Sequence, residues 1–364
     1  MVNEAVRTTS AEAQAAASSL YREMLADLDT ERFGFGWWHG YLDASRIALI
    51  SEYLIASVAG VRDAMADAEF CFVEWTEQQF ADTTWVRRTI KDLGPNATDE
   101  QVLRALRRSG TDQKREVRLR LAKEHTFYHL AQTFDRMSAV VIGVAALNAD
   151  IVHADWRVVD QDGRFRQAQS DTKGAGQPPR GAALQQDVRA RLLDAVERAG
   201  PRDWFRWVDG KRNTNAHRAP KTQMVITEQQ SKKQPTRLVH LFERQPRWSV
   251  SEELVGNPAG SLDEVWLLSD PANVLGGCVQ STANVAIEAM KTLSDVWQKR
   301  KADPALLVQP GGQWRKVLEE PLLAFDGYGD PLPMPRAREL RVAPETGLRM
   351  QASGVFDKAL WAKS

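Results

Sequence analysis

One segment of the chain constrains the fold more than any other. Phe127, Leu130, Phe134, Met137, Val141 and Val144 follow one another at alternating steps of three and four. That spacing is the period of one α-helical face. The segment from about Gln113 to Asn148 holds no Gly or Pro before Gly143. A helix this long with one apolar stripe must bury the stripe against other helices, so a mainly α architecture is expected. Ile47, Ile50, Leu54, Val58, Val61 and Met65 repeat the pattern upstream. Downstream, Val188, Leu192, Leu193 and Val196 mark a helix over 184–198, and Ala283, Ile287, Met290, Leu293 and Trp297 mark one over 271–300. Core packing explains these stripes better than any cofactor role.

The period breaks in four places. Asp160 to Gly181 is rich in Gly, Gln and Ser with Pro178-Pro179, which predicts an exposed loop over about 160–183. Gly200-Pro201 stops a helix, and Asp203 is placed to cap a short one carrying Trp204, Phe205, Trp207 and Val208. At helical spacing these aromatics are core residues, although bases could also stack on them. Three β-branched or aromatic runs begin at Met224, Arg237 and Glu264, separated by polar and Gly/Pro stretches, and suggest a small antiparallel insertion over 223–269. Beyond Lys301, Pro310-Gly-Gly, Gly327-Tyr-Gly-Asp-Pro and the prolines at 331–335 suggest an irregular arm. The expected organisation is therefore an N-terminal helical region over 1–110, a helical bundle over 111–300 and a Pro/Gly-rich arm over 301–364.

Composition narrows the function classes. The formal net charge is zero with 26% charged residues, which argues against coating nucleic acid by bulk charge. Two cysteines, Cys71 and Cys278, support neither a disulfide framework nor a cysteine-rich zinc site. The first residues lack the basic flank and apolar stretch of a signal peptide. The longest apolar run, Ala139 to Leu147, is far short of the roughly twenty residues that span a bilayer. A soluble, cytoplasmic protein is expected. No P-loop, GxGxxG, GxSxG or kinase signature occurs, so ATP, dinucleotide and serine-hydrolase chemistry have no support. His125 and His129 stand four apart beside Glu124, but HExxH and further ligands are missing, and no metal or other cofactor is expected. His39, in Gly36-Trp-Trp-His-Gly40, reads as structural.

Chemistry concentrates in Arg212-Asn213-Thr214-Asn215-Ala216-His217. An arginine and a histidine five residues apart lie within about one and a half helical turns and can address one small anion. The histidine moves protons near neutral pH, and the arginine keeps a planar, permanently charged donor fork. The spacing alone says little, because Arg120 and His125 share it inside a charged amphipathic helix. Surroundings separate the two copies. From Pro201 to Lys233 there are eight Lys or Arg against three acids, a local excess of about five. Gly210 and the asparagines are also poor helix formers, so local rules are broken there without an obvious structural gain. The plain alternative is a surface arginine paired with Asp203 or Asp209 and a histidine at a helix end.

Arg-Asn-x-x-x-His, late in a helical domain and after a long amphipathic helix, resembles the signature of the HEPN superfamily. The helix from Phe127 to Leu147, with Asp135, is similar to the earlier core helix of that domain. The resemblance covers about 110–220, with the helix at 271–300 as a further member of the bundle. It implies an all-α bundle whose catalytic members are metal-independent ribonucleases, common as toxins or antiviral-defence effectors. It also implies a homodimer in which two motifs meet at one cleft. Arg212, Asn213 and His217 are then the expected catalytic residues. Arg206, Lys211, Arg218 and Lys221 would collect the RNA backbone in a salt-dependent way. The competing expectation is a non-catalytic helical module that binds nucleotides, nucleic acid or a protein partner through the same basic segment. A third is a structural protein using the Pro-rich tail to contact a neighbour.

Overall fold

The computed structural model describes residues 2–39, 44–94, 97–108, 110–169, 180–217, 225–228, 237–248, 262–306, 327–328 and 342–354. The protein is mainly α-helical. In chain order the helices are α1 (Val2–Ala26), α2 (Ala44–Leu93), α3 (Asp99–Ala105), α4 (Thr111–Val144), α5 (Arg157–Asp160), α6 (Asp162–Ala168), α7 (Arg180–Ala199) and α8 (Trp204–His217). After two β-ribbons come α10 (Pro271–Ala302), preceded by the short α9 (Leu262–Val265), and α11 (Pro344–Ala352). No helix among the described residues is long and apolar enough to cross a membrane.

The stripes account for the long helices. All six apolar residues of the α2 stripe and all six of the α4 stripe are at most 1% exposed. α2 runs for 50 residues, well past Met65 where the upstream stripe ends. Polar caps set the ends of shorter elements. Thr98 Oγ1 accepts from the Gln101 amide and Gln101 Oε1 accepts from the Thr98 amide, a reciprocal cap that starts α3.

Two compact units divide the chain, and neither is continuous. The first gathers Met1–Ser19, Val58–Met137 and Arg189–Thr292; the second gathers Leu20–Ser57, Ser138–Val188 and Leu293–Ser364. They cut across the three consecutive regions expected from the sequence. In the first unit the core is drawn from Phe72 and Trp75 of α2, Phe127, Leu130 and Phe134 of α4, Leu192 of α7, Val208 of α8 and Val279 of α10. Gly60 of α2 sits where an added Cβ would lie 2.7 Å from Cδ of Arg136, whose Nη1 donates to the Gly60 carbonyl at 2.6 Å.

In the second unit an aromatic cluster forms around Phe35, Trp38 and Trp297, with ring centroids 4.7 Å apart for Phe35 and Trp297. Arg300 is buried beneath it. Its Nη1 donates to the carbonyls of Gly143 (2.9 Å) and Val144 (2.6 Å), closing the C-terminal end of α4 with a cation, and its guanidinium lies over Trp37 and Trp38. His39 donates from Nε2 to the Phe33 carbonyl at 2.9 Å, a structural role as expected for this turn.

The expected loop over 160–183 is only partly a loop. Asp162–Ala168 is helical because Phe165 and Ala168 have core positions to fill in the second unit; residues 170–179 lie outside the described residues. Likewise the C-terminal arm contains α11, tied down where Arg349 makes paired hydrogen bonds to Glu52 at 3.1 and 2.5 Å. The rest of the arm, apart from 301–306, 327–328 and the residues flanking α11 at 342–343 and 353–354, lies outside the described residues. The β insertion takes the form of two antiparallel ribbons. β1 (Val225–Glu228) pairs with β2 (Arg237–His240), with Val225 opposite His240; β3 (Phe242–Glu243) pairs with β4 (Trp266–Leu267).

Candidate functional site

Helix α8 carries the motif. It opens after Asp203, whose φ of 63° is left-handed and turns the chain out of the Gly200-Pro201 break. The helix runs through Gly210 and the asparagines, poor helix formers by propensity, to His217. Its aromatic first half packs against the body, with Trp204 buried and Phe205 and Trp207 half-buried. Trp204 donates to the Val196 carbonyl at 2.8 Å, Phe205 meets Phe134 at 4.4 Å, and Trp207 packs on Phe127 and donates to the Glu243 carbonyl.

Gly210 has a structural reason that its sequence neighbours do not reveal. A Cβ there would lie 2.8 Å from Cγ of Pro246, so the absence of a side chain lets the 246–247 segment approach the helix. One turn on, Thr214 Oγ1 donates to the Pro246 carbonyl at 2.7 Å and fastens the contact. Gly210→Ala should therefore destabilise the protein by about 1 kcal/mol. A gain of roughly 1 kcal/mol in helix propensity is outweighed by overpacking against a rigid ring, which costs about 1–3 kcal/mol. Chemical denaturation measures this, and a stabilised variant would show that the contact yields freely.

Around the motif, side chains form a string of alternating donors and acceptors. Arg212 Nη2 lies 3.4 Å from Asp135 Oδ2 on α4. Arg212 Nη1 donates to Asn213 Oδ1 at 3.2 Å, and Asn213 Nδ2 donates to Asp209 Oδ1 at 3.1 Å. Asp209 Oδ2 accepts from Arg247 Nη2 at 2.5 Å. The amide orientation of Asn213 is set by these neighbours, since only one way round satisfies both. Thus the pairing of Arg212 with Asp203 or Asp209 gives way to a partner 77 residues away. Asp203 instead lies near Arg202 and Arg206.

Arg212 is held without being sealed. Its side chain is 32% exposed and that of Asp135 36%. An ion pair this wet is worth roughly 0–1 kcal/mol, so a more highly charged anion can compete for the guanidinium. About 7.5 Å of helix rise separates Arg212 from His217 on α8. The backbone of His217 ends α8; its side chain, and all of Arg218 and Lys221, lie outside the described residues.

The basic residues expected to collect RNA divide into two kinds. Arg206 is exposed, 3.7 Å from Asp203 across one turn. Lys211 turns inward. It is buried, ion-paired with Glu243, and lies over the rings of Trp207 and Phe242. It cannot serve as a surface contact for a polyanion, because its charge is already neutralised inside the fold. The local excess of about five charges along 201–233 is therefore reduced on folding by Asp135 and Glu243, which come from other parts of the chain. Arg247 was not singled out from the sequence; only its approach to Asp209 in space brings it to the site.

Comparison with protein-family models, with characterised proteins and with solved structures finds no match to this chain.

Proposed function

We propose that the protein is a metal-independent endoribonuclease of HEPN type that works as a homodimer, in the manner of a toxin or antiviral-defence effector. One observation supports this above the others. The two helices that carry the resemblance, the one with Asp135 and the one with the Arg-Asn-x-x-x-His motif, meet at those residues, with Arg212 Nη2 3.4 Å from Asp135 Oδ2.

In this proposal a base removes the proton of the ribose 2′-OH, the 2′-oxygen attacks the adjacent phosphorus, and the P–O5′ bond breaks. An acid protonates the departing 5′-oxygen. The products are a 2′,3′-cyclic phosphate and a 5′-OH end. His217 supplies the proton transfers and Arg212 the charge that stabilises the crowded phosphorane. Asp135 and Asn213 position Arg212. A single His217 cannot be base and acid at the same moment, so two chains meeting at one phosphate give each histidine one role. Arg206 adds a backbone contact on the same helix.

The test is incubation of purified protein with RNA in EDTA, with the product ends identified by mass spectrometry. Cleavage leaving cyclic phosphate and 5′-OH ends, lost in both His217→Ala and Arg212→Ala, is the expected result. Cleavage that persists in both variants would remove the assignment. The string from Asp135 to Arg247 also suits a rigid, non-catalytic binding surface. Tight RNA binding without turnover, even at high protein concentration, selects that function instead.

A further inference from the structure

A second site lies in the first unit, away from the motif. A cavity of about 180 Å³ opens between α2, the turn after α3, α4 and β2. Its apolar wall is Trp75 and Leu119, both buried. Facing them are Arg108, Arg120, Lys123 and His240. Lys123 stands twelve residues before Asp135 on α4, roughly 18 Å along the helix, so the cavity is distinct from the Arg212 site.

The cations of this cavity are held in place, and donor capacity remains on its wall. Asp82 is completely buried behind it and binds Arg108 through two hydrogen bonds of 2.7 and 3.0 Å, which leaves three guanidinium N–H donors. Arg108 is further fixed over the ring of Trp85. His240 Nε2 is buried 3.7 Å from Asp82 Oδ2, too far for a hydrogen bond, and has no other partner among the described residues. Lys123 is half-buried, with the carboxylates of Glu243 and Glu124 and the cations of Lys211 and Arg120 acting on its ammonium, and Arg120 Nη1 donates to Glu124 Oε2 at 3.3 Å. Buried donors without acceptors are uncommon, and His240 Nε2, set among three cations on one cavity wall, points to a ligand that accepts. One carboxylate, Glu116, also lines the space; it is 61% exposed and lies at the outer edge, 3.6 Å from Arg108 Nε.

We propose that this cavity binds the phosphate group of a phosphomonoester, with Lys123, Arg108 and Arg120 as the charged donors and Asp82 as the residue that positions Arg108. The donors reach the space from three elements. A tetrahedral oxyanion accepts in several directions at once, whereas a planar carboxylate is best met by one fork from one side. The volume slightly exceeds the roughly 150 Å³ that accommodates benzene, so phosphate and a few more atoms fit and anything larger must project outward. The Trp75 and Leu119 wall would take the adjoining apolar part.

Titration calorimetry of the full chain tests this with inorganic phosphate, sulfate and acetate. Saturable binding of phosphate and sulfate is expected, with acetate at least tenfold weaker. Lys123→Met and Arg120→Met should each weaken phosphate about tenfold or more, the loss of one charge-assisted contact. Lys291→Met, on an exposed part of α10, should leave binding unchanged. Sulfate does not titrate, so its pH profile reads the protein. Burial pushes Lys123 down to about 8, helped by Lys211 of α8 and opposed by Glu243 of β3 and by Glu124, with Arg120 lowering it further. Sulfate affinity should therefore fall as pH rises from about 7 to 9, and Lys123→Arg should flatten the profile because arginine stays charged. AMP and a 5′-phosphorylated 2′-O-methyl trinucleotide, each compared with its unphosphorylated form, decide between a free metabolite and an RNA end. No saturable phosphate binding at about 20 mM, acetate binding as tightly as phosphate, or unchanged affinity in Lys123→Met overturns the proposal. Should Lys123→Met fail to fold, unchanged affinity in Arg120→Met, which alters an exposed side chain, overturns it equally. None of these readouts depends on RNA cleavage, so the ribonuclease proposal stands or falls separately.

Discussion

His217→Ala should slow RNA cleavage in EDTA by about 10²–10⁴-fold, the usual contribution of a positioned general acid or base. Arg212→Ala should cost about 10²–10³-fold, as when one preorganised electrostatic donor is removed from a developing oxyanion. Arg212→Lys should recover little of this, because a point charge replaces a planar fork that meets both Asp135 and Asn213. Asp135→Asn should cost less than tenfold. It removes an exposed ion pair worth about 1 kcal/mol at most and leaves the guanidinium in place. This ranking separates catalysis from support: a purely structural Arg212 would make Asp135→Asn as damaging as Arg212→Ala. Activity per chain should also fall on dilution, since one histidine per chain cannot fill both proton-transfer roles. A constant specific activity across a wide concentration range would rule out the dimeric site.

Asp82→Ala should destabilise the protein by about 3–5 kcal/mol, because it strands a buried cation rather than merely deleting a contact. Asp82 is fully buried and the Arg108 side chain is only 17% exposed, so solvent cannot take over the lost pairing. Asp82→Asn should cost less, since the amide keeps one acceptor for the guanidinium. The same network gives stability a defined pH dependence. Burial works against ionisation of Asp82, but His240 and the Arg108 guanidinium outweigh it and hold the carboxyl below the ordinary aspartate range. A carboxyl with a depressed folded-state pKa contributes stability above its unfolded pKa of about 3.9 and loses that contribution as pH falls below it. The stability gap between wild type and Asp82→Asn, from denaturant melts, should therefore be full at neutral pH and shrink below about pH 4. A gap that stays constant down to pH 3 would show that the carboxylate is not the charged partner in the fold.

Helices were legible because their cause is local. The Phe127–Val144 and Ile47–Met65 stripes need only a period and a water boundary to predict buried faces, and all of those residues are buried. The three short runs near 225, 237 and 264 contributed to antiparallel pairs, though as two separate ribbons. Helix ends were less legible. α8 passes through a glycine that propensity alone would place outside a helix, because what the glycine admits is Pro246, 36 positions on and invisible to local rules.

The candidate site divides in the same way. Sequence by itself determined a mainly helical protein, the position of the Arg212–His217 motif on it, and a basic stretch about five charges in excess. Only the tertiary structure decided which charges remain available. Asp135 meets Arg212 across 77 residues, Glu243 neutralises Lys211 across 32, and Asp82 holds Arg108 across 26. The physical reason is that helical periodicity is written in neighbours three and four apart, whereas the partner of a charge is whichever acid packing brings within a few ångströms. That also made the Lys123 and His240 cavity unreadable in the sequence: its donors lie on separate elements, and nothing but their convergence in space distinguishes them from ordinary surface residues.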